Sequence, residues 1–160
     1  GAKITDWAAV IAQKDALVGE MRQAKYADIL PSYASIAYME GRARLSAGGV
    51  RMNETQLRAD KTVVATGSSP TFPCIPGIEG VATLTSTTAM ALERLPKSLL
   101  VGGGGYVGCE LAQMFARAGV VVSLVCRSQL VPESEPEISA ALTGYFRDWK
   151  RLAEKASAMA

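Results

Sequence analysis

The stretch VGGGGYVGCE, Val101 to Glu110, constrains this chain more than any other. Its consecutive glycines, Gly102 to Gly105, and then Gly108 would weaken the interior of any helix or strand, because glycine gives up the most backbone freedom on folding. Such a cluster belongs in a turn. In register, Gly103-Gly104-Gly105-Tyr106-Val107-Gly108 reads GxGxxG. It follows the apolar run SLLVG and opens the amphipathic stretch GYVGCELAQMFARAG. A second apolar run, VVVSLVC, comes next, and Gly119 sits where a helix C-cap glycine belongs. Strand, glycine turn, helix and strand form the context that the dinucleotide-binding fingerprint requires. Gly103 then permits the tight turn, Gly105 lets a pyrophosphate approach the backbone, and Gly108 lets the helix pack closely on the strands. Free N–H groups at the helix N-terminus face the phosphates. The plain alternative is a tight turn with no ligand.

The second strand ends at LVCRSQ, and Gly108 to Arg127 is 19 residues, about where the ribose-reading residue falls. An NAD site usually places Asp or Glu there to hold the 2′-hydroxyl. This chain offers Cys126, Arg127 and Ser128. A carboxylate would repel a 2′-phosphate, whereas a guanidinium binds it bidentately. The expectation is NADPH rather than NADH, against the alternative of a solvated surface arginine.

Composition narrows the remaining classes. The 160 residues, 49% apolar and 20% charged with net charge +2, suffice for one good core or two small ones. They argue against disorder and against a nucleic-acid surface. The longest apolar run, Ala118 to Cys126, is too short to span a membrane. Gly1 opens the chain without a methionine or a signal-peptide pattern, as a processed or cut end would. The three cysteines, Cys74, Cys109 and Cys126, form no CxxC pair, and there is no histidine. That excludes a disulfide scaffold and leaves too few ligands for zinc. A reducing, cytoplasmic setting fits, with each cysteine a small buried hydrophobe.

Elsewhere the periodicity changes twice. TDWAAVIAQKDALVGEMRQAKYADIL predicts a long helix capped by Thr5 or Asp6, with Trp7, Val10, Ile11, Val18 and Met21 on one stripe and Pro31 as its stop. SIAYMEGRARL, GVRMN and LRADKTVVATG predict a small antiparallel set of strands, ending in an apolar strand Thr62 to Ala65. GSSPTFPCIPGIEG, Gly67 to Gly80, is a Pro/Gly-rich crossover. LTSTTAMALERLP predicts a short helix capped by one of Ser86 to Thr88. EPEISAALTGYFRDWKRLAEKASAMA is helical in pattern, with Pro136 in its first turn.

Several of these stretches taken together, QAKY, EGRARL, VVATGSSP, IPG, TSTTA, GGGYVGCELAQMFARAG, LVCRS and EPEIS, resemble the flavin-dependent pyridine nucleotide–disulfide oxidoreductases. LAQMFARAG and LVCRS favour the mercuric reductase branch of that family. The resemblance runs from about Asp6 to Tyr145. It implies an α/β chain made of two partial domains. Residues 1–80 would be a piece of an FAD-binding domain, a helix plus a small β-meander with the Pro/Gly-rich crossover. Residues 81–160 would be a partial Rossmann-type βαβ NAD(P)-binding domain. It also implies roles at matching positions. Gly41, Arg42 and Ala43 resemble the turn at the FAD adenine, and Ala65, Thr66 and Gly67 the strand end beside the flavin nucleotide. Tyr106 resembles the tyrosine that covers the flavin until nicotinamide enters, and Glu110 the glutamate lining the nicotinamide pocket. Four residues apart, they share a helix face. A packed aromatic and a carboxylate favoured by the helix dipole are the plain alternatives.

The family's first GxGxxG and its CxxxxC redox pair have no counterpart in this sequence, and Cys74, Cys109 and Cys126 do not have that spacing. The family's second FAD motif and dimerisation domain are also missing, and RDWKRLAEKASAMA departs from the family pattern of a turn and a new strand. The resemblance therefore implies an inactive internal segment of a homodimeric parent that passes a hydride from NADPH to FAD, then electrons through a cysteine pair to Hg(II). A stand-alone or relic nucleotide-binding module, and an NADH-using dihydrolipoamide dehydrogenase-like member, stay open as alternatives. The segment is expected to hold FAD poorly, and its unpaired strand edges to favour association.

Overall fold

A computed structural model describes residue 4 and residues 6–157, with side chains as far as residue 148. The chain forms two compact units, Gly1–Ala12 with Phe72–Ala160, and Gln13–Thr71. Helix α1 (Trp7–Arg22) starts in the first and ends in the second. Asp6 caps it, its Oδ1 accepting the Ala9 amide at 3.0 Å, while Thr5 lies outside the described residues. The expected stripe on this helix is only partly buried. Trp7 and Ile11 are packed, but Val10, Val18 and Met21 are exposed. The helix also stops earlier than Pro31 requires. A π-helical turn, Gln23–Ala27, follows it, and Pro31 sits in a 3-10 turn, Leu30–Ser32.

The first unit is built on a βαβ arrangement. Strand β4 (Ser98–Gly102) pairs in parallel with β5 (Val121–Val125), Leu100 opposite Ser123, and helix α3 (Tyr106–Arg117) connects them. Burial alternates along both strands, so Leu99, Val101, Val122 and Leu124 face inward while Leu100, Val121 and Val125 stay exposed. Helix α3 buries Cys109, Ala112 and Phe115, three residues apart and hence on one face. Phe115 is 0% exposed and joins Ala89 and Val120 in a core flanked by Trp7, Leu92, Leu99 and Val122. The Trp7 indole N–H donates to the Leu92 carbonyl at 2.7 Å, and its ring lies 5.9 Å from that of Phe115. A second cluster gathers Cys109, Leu130 and Val131 under Leu124, Leu142 and Phe146.

Helix α3 ends as its sequence predicts. Gly119 is left-handed at φ +93°, its N–H bonds the Ala116 carbonyl at 3.1 Å, and the Val120 N–H bonds the Phe115 carbonyl at 3.0 Å. That pair of bonds is a Schellman motif, and the apolar contact that accompanies it is Val120 on Phe115. The short helix α2 (Ser86–Ala89) is capped one residue before the expected positions. Thr85 accepts the Thr88 amide at 3.2 Å and Thr88 accepts the Thr85 amide at 2.8 Å, a reciprocal capping box. Helix α4 (Pro136–Ser157) opens on proline, whose missing N–H would have no helical partner there anyway. Residues 158–160 of the expected helical tail lie outside the described residues.

The second unit holds an antiparallel meander, β1 (Ala43–Ser46), β2 (Gly49–Met52) and β3 (Thr55–Arg58). Two-residue turns at Ala47-Gly48 and Asn53-Glu54 join the strands, with Gly48 and Asn53 at positive φ. The expected strand Thr62 to Ala65 does not form, nor does an extended strand reach back from Ala43 to Ser35. A strand needs a hydrogen-bonded neighbour, and no described strand pairs with Thr62–Ala65, so Val63 is left 88% exposed. Among the described residues no helix is long and apolar enough to cross a membrane.

Candidate functional site

The glycine turn is the most constrained backbone of the first unit. Strand β4 ends at Gly102, and Gly103 turns the chain at φ +120°, a conformation L side chains rarely adopt. Its N–H donates to the Val125 carbonyl at 2.8 Å, which ties the turn to the end of β5. A Cβ on Gly108 would lie 2.1 Å from the Gly103 carbonyl oxygen and 3.8 Å from Val101 Cγ1. Only a bare Cα lets the first turn of α3 come this close to the loop and to β4.

Gly105 is the N-cap of α3 and offers no side chain to its first-turn amides. Among the described residues, no atom beyond the adjoining chain stands within 4 Å of where a Cβ of Gly103 or Gly105 would project. The helix end therefore opens on free space, with positive peptide-dipole character and unclaimed donors, which fits a pyrophosphate. Gly104 faces the other way. It is buried, and a Cβ there would come 2.8 Å from Cys126 Cβ.

One turn into α3, Tyr106 and Glu110 line a shallow cleft with Cys109, Gln113, Val131, Ile138, Leu142 and Phe146. The cleft is mostly apolar, as a surface for a flat, weakly polar ring would be. The Tyr106 hydroxyl is 2.7 Å from Ser134 Oγ. Val107 is exposed beside it. Arg127 stands exposed two residues after Val125, with no ion pair among the described residues. The structure thus gathers Gly103–Gly108 and Glu110 at one end of α3, and tethers that end to the strand from which Arg127 emerges.

The predicted flavin residues lie in the second unit. Gly41 sits in a bend against Met52 and Asn53, Arg42 follows it, and Ala43 opens β1, all exposed. Ala65, Thr66 and Gly67 are in irregular, exposed chain, with Gly67 at φ +72°. The cysteines are all free. Burial pushes the Cys109 thiol above its ordinary range, and the nearby Cys126 and Glu110 add to the effect. Among the described residues no three His, Cys, Asp or Glu side chains gather as metal ligands.

Sequence reasoning missed the segment that holds this turn from behind. Val131 donates its N–H to the Gly104 carbonyl at 2.6 Å, and Ser139 Oγ donates to the Leu130 carbonyl at 2.6 Å. The one available signal was Ser139, a polar residue in helical register with the apolar Leu142 and Phe146.

Comparison with known proteins bears on the same residues. A family model described as pyridine nucleotide-disulphide oxidoreductase matches residues 7–150. The mercuric reductase of Streptomyces lividans is 45% identical over 149 residues, which covers 89% of this chain and 31% of the relative. That of Lysinibacillus sphaericus is 42% identical over 139 residues, 86% of this chain and 25% of the relative. The chain thus spans a third or less of the length of these relatives. Among solved structures, the Cu(II) complex of the HOCl-induced flavoprotein disulfide reductase RclA from Escherichia coli superposes with a TM-score of 0.80 at 28% identity, covering 91% of this chain and 34% of that one.

Proposed function

The chain belongs to the pyridine nucleotide-disulphide oxidoreductase family, and on that premise we propose that it is a nucleotide-binding segment of an NADPH-dependent, FAD-containing disulfide oxidoreductase of the mercuric reductase branch. The observation that carries the proposal is the closed contact of Gly103 with Gly108 beneath an open, uncapped α3 N-terminus. It leaves open space in front of backbone donors, where a pyrophosphate would bind. Residues 81–160 would bind NADPH, with the pyrophosphate on Gly103–Gly108, the 2′-phosphate on Arg127, and the nicotinamide near Tyr106 and Glu110. Residues 1–80 would contribute Gly41, Arg42, Ala43, Ala65, Thr66 and Gly67 to an FAD site completed elsewhere in the parent.

When bound, NADPH and FAD supply hydride donation and electron relay. The residues of this chain bind, orient and exclude water. Cys74, Cys109 and Cys126 are not the redox pair, so reduction of Hg(II) to Hg(0) belongs to the parent. In that reading the parent is a cytoplasmic homodimer joined through a domain outside this chain. The inward-only packing of β4 and β5 supports a further layer over their open face in the parent, since parallel sheets are ordinarily covered on both faces. A second reading, a nucleotide-binding module without redox chemistry, draws on the unbroken helix α4 where the family pattern turns into a strand.

Titration of NADPH and NADH into the chain and into Arg127→Glu tests the cofactor assignment. A charge-assisted hydrogen-bonded contact contributes about 1.5–3 kcal/mol. The change should therefore weaken NADPH roughly 10- to 100-fold and leave NADH equal or tighter. An equal loss for both nucleotides would overturn the 2′-phosphate site.

A further inference from the structure

The segment after Arg127 is held in a conformation its sequence disfavours. Val131 has φ +41°, and a β-branched residue in that region is an outlier. It also precedes Pro132, and residues before proline are pushed toward extended backbone. Val131 is 3% exposed, so it cannot relax into solvent. Such a conformation persists only where its surroundings determine it, and here three contacts do so. The Val131 N–H donates to the Gly104 carbonyl at 2.6 Å, and the Val131 carbonyl accepts the Ser134 N–H at 2.9 Å, closing a turn with Pro132 at its second position. The preceding carbonyl, that of Leu130, accepts from Ser139 Oγ at 2.6 Å. Ser139 is 3% exposed, on the first turn of α4, with its hydroxyl committed to that bond.

The consequence falls on the next peptide of the glycine turn. In a trans peptide the C=O and the following N–H point in opposite directions. The Gly104 carbonyl is drawn inward by Val131, and Cys109 Sγ reaches it as well at 3.5 Å. The Gly105 N–H must then point away from the core, toward the open side of the turn, where it finds no partner among the described residues. We propose that the turn Val131–Ser134, anchored by Ser139, is a clip that aims the Gly105 amide at the nucleotide phosphates, which makes Val131 and Ser139 positioning residues for a ligand that neither of them touches. The proposal rests on the nucleotide-binding reading given above.

The test uses the whole chain, with NADPH as the probe, in three forms: unaltered, Ser139→Ala and Ser139→Thr. Affinity is read by nucleotide fluorescence, and amide exchange is followed residue by residue. Ser139→Ala should weaken NADPH about tenfold. It should speed exchange of the Val131 amide while the Phe115 amide keeps its protection, and Ser139→Thr, which retains the hydroxyl, should restore both. In the unaltered chain, bound NADPH should slow exchange at Val131 several-fold, a readout that does not depend on any variant folding. Normal NADPH affinity in Ser139→Ala with the Val131 amide deprotected, or no change at Val131 when NADPH binds the unaltered chain, would overturn the clip and leave the nucleotide site standing. Failure of the unaltered chain to bind NADPH would overturn both.

Discussion

Gly108 and Gly103 meet so closely that a single methyl group on Gly108 would stand 2.1 Å from the Gly103 carbonyl oxygen. The obstructing atom is backbone, so no rotamer change relieves it. Gly108→Ala should force the first turn of α3 away from β4 and cost about 1–3 kcal/mol, as overpacking does. Denaturant unfolding of the variant reads that loss, and NADPH binding should fall with it. Unchanged stability would show that the loop can move without penalty.

Trp7 fastens the start of α1 to the core of the first unit by two means, its ring against Phe115 and its indole N–H on the Leu92 carbonyl. Trp7→Phe keeps most of the ring contact and drops the hydrogen bond, so it should cost about 1 kcal/mol. Phe115→Ala empties a fully buried site and should cost about 3–5 kcal/mol. The two unfolding midpoints should differ accordingly. Equal effects would mean that the indole bond matters as much as the packing.

Cys109 gives the protein a predictable response to alkali. Its thiol is raised above the ordinary 9.0 by burial, then by Cys126 and Glu110. Between the ordinary value and the raised one, the folded chain binds more protons at this site than the unfolded chain. Stability from Cys109 is therefore full below the ordinary thiol range and is lost as pH rises through that window. Unfolding free energy should decline there for the unaltered chain and decline less for Cys109→Ala. Thiol alkylation near neutral pH should reach exposed Cys74 well before buried Cys109. Rapid labelling of Cys109 would contradict its burial.

The second unit predicts an absence. Ala65, Thr66 and Gly67 are exposed in irregular chain, and no strand–glycine turn–helix stands beside them among the described residues. The purified chain should carry no stoichiometric flavin absorption. A full flavin spectrum would show that these residues suffice to hold FAD.

The parts of the fold legible in the sequence are those that local chemistry determines. Gly119 ends α3, Pro136 begins α4, and the glycine cluster lies between strand and helix, because each rests on one residue's backbone preferences. Thr62–Ala65 reads as a strand by composition, yet strand formation depends on a partner that composition does not supply. The Thr85 cap was displaced by one residue because Thr85, Ser86, Thr87 and Thr88 are all competent caps, and only the reciprocal bond with Thr88 selects among them. Val131 was hidden for the opposite reason. Its side chain and its proline neighbour both argue for extended backbone, and the tertiary bond to Gly104, with the turn closed by Ser134, overrides them. Of the proposed site, the glycines and Arg127 stand out by their spacing, whereas Ser139 bonds a backbone carbonyl and leaves no motif.

In the proposed function, the glycine turn and Arg127 form one nucleotide site. The direct measurement is to add NADPH to the isotope-labelled chain and map which backbone amides shift. Saturable changes should concentrate at Gly103–Gly108, Glu110 and Arg127, with Gly105 among the largest. Absence of saturable shifts, or shifts confined to residues 13–71, would mean that the glycine turn and Arg127 do not form a nucleotide site.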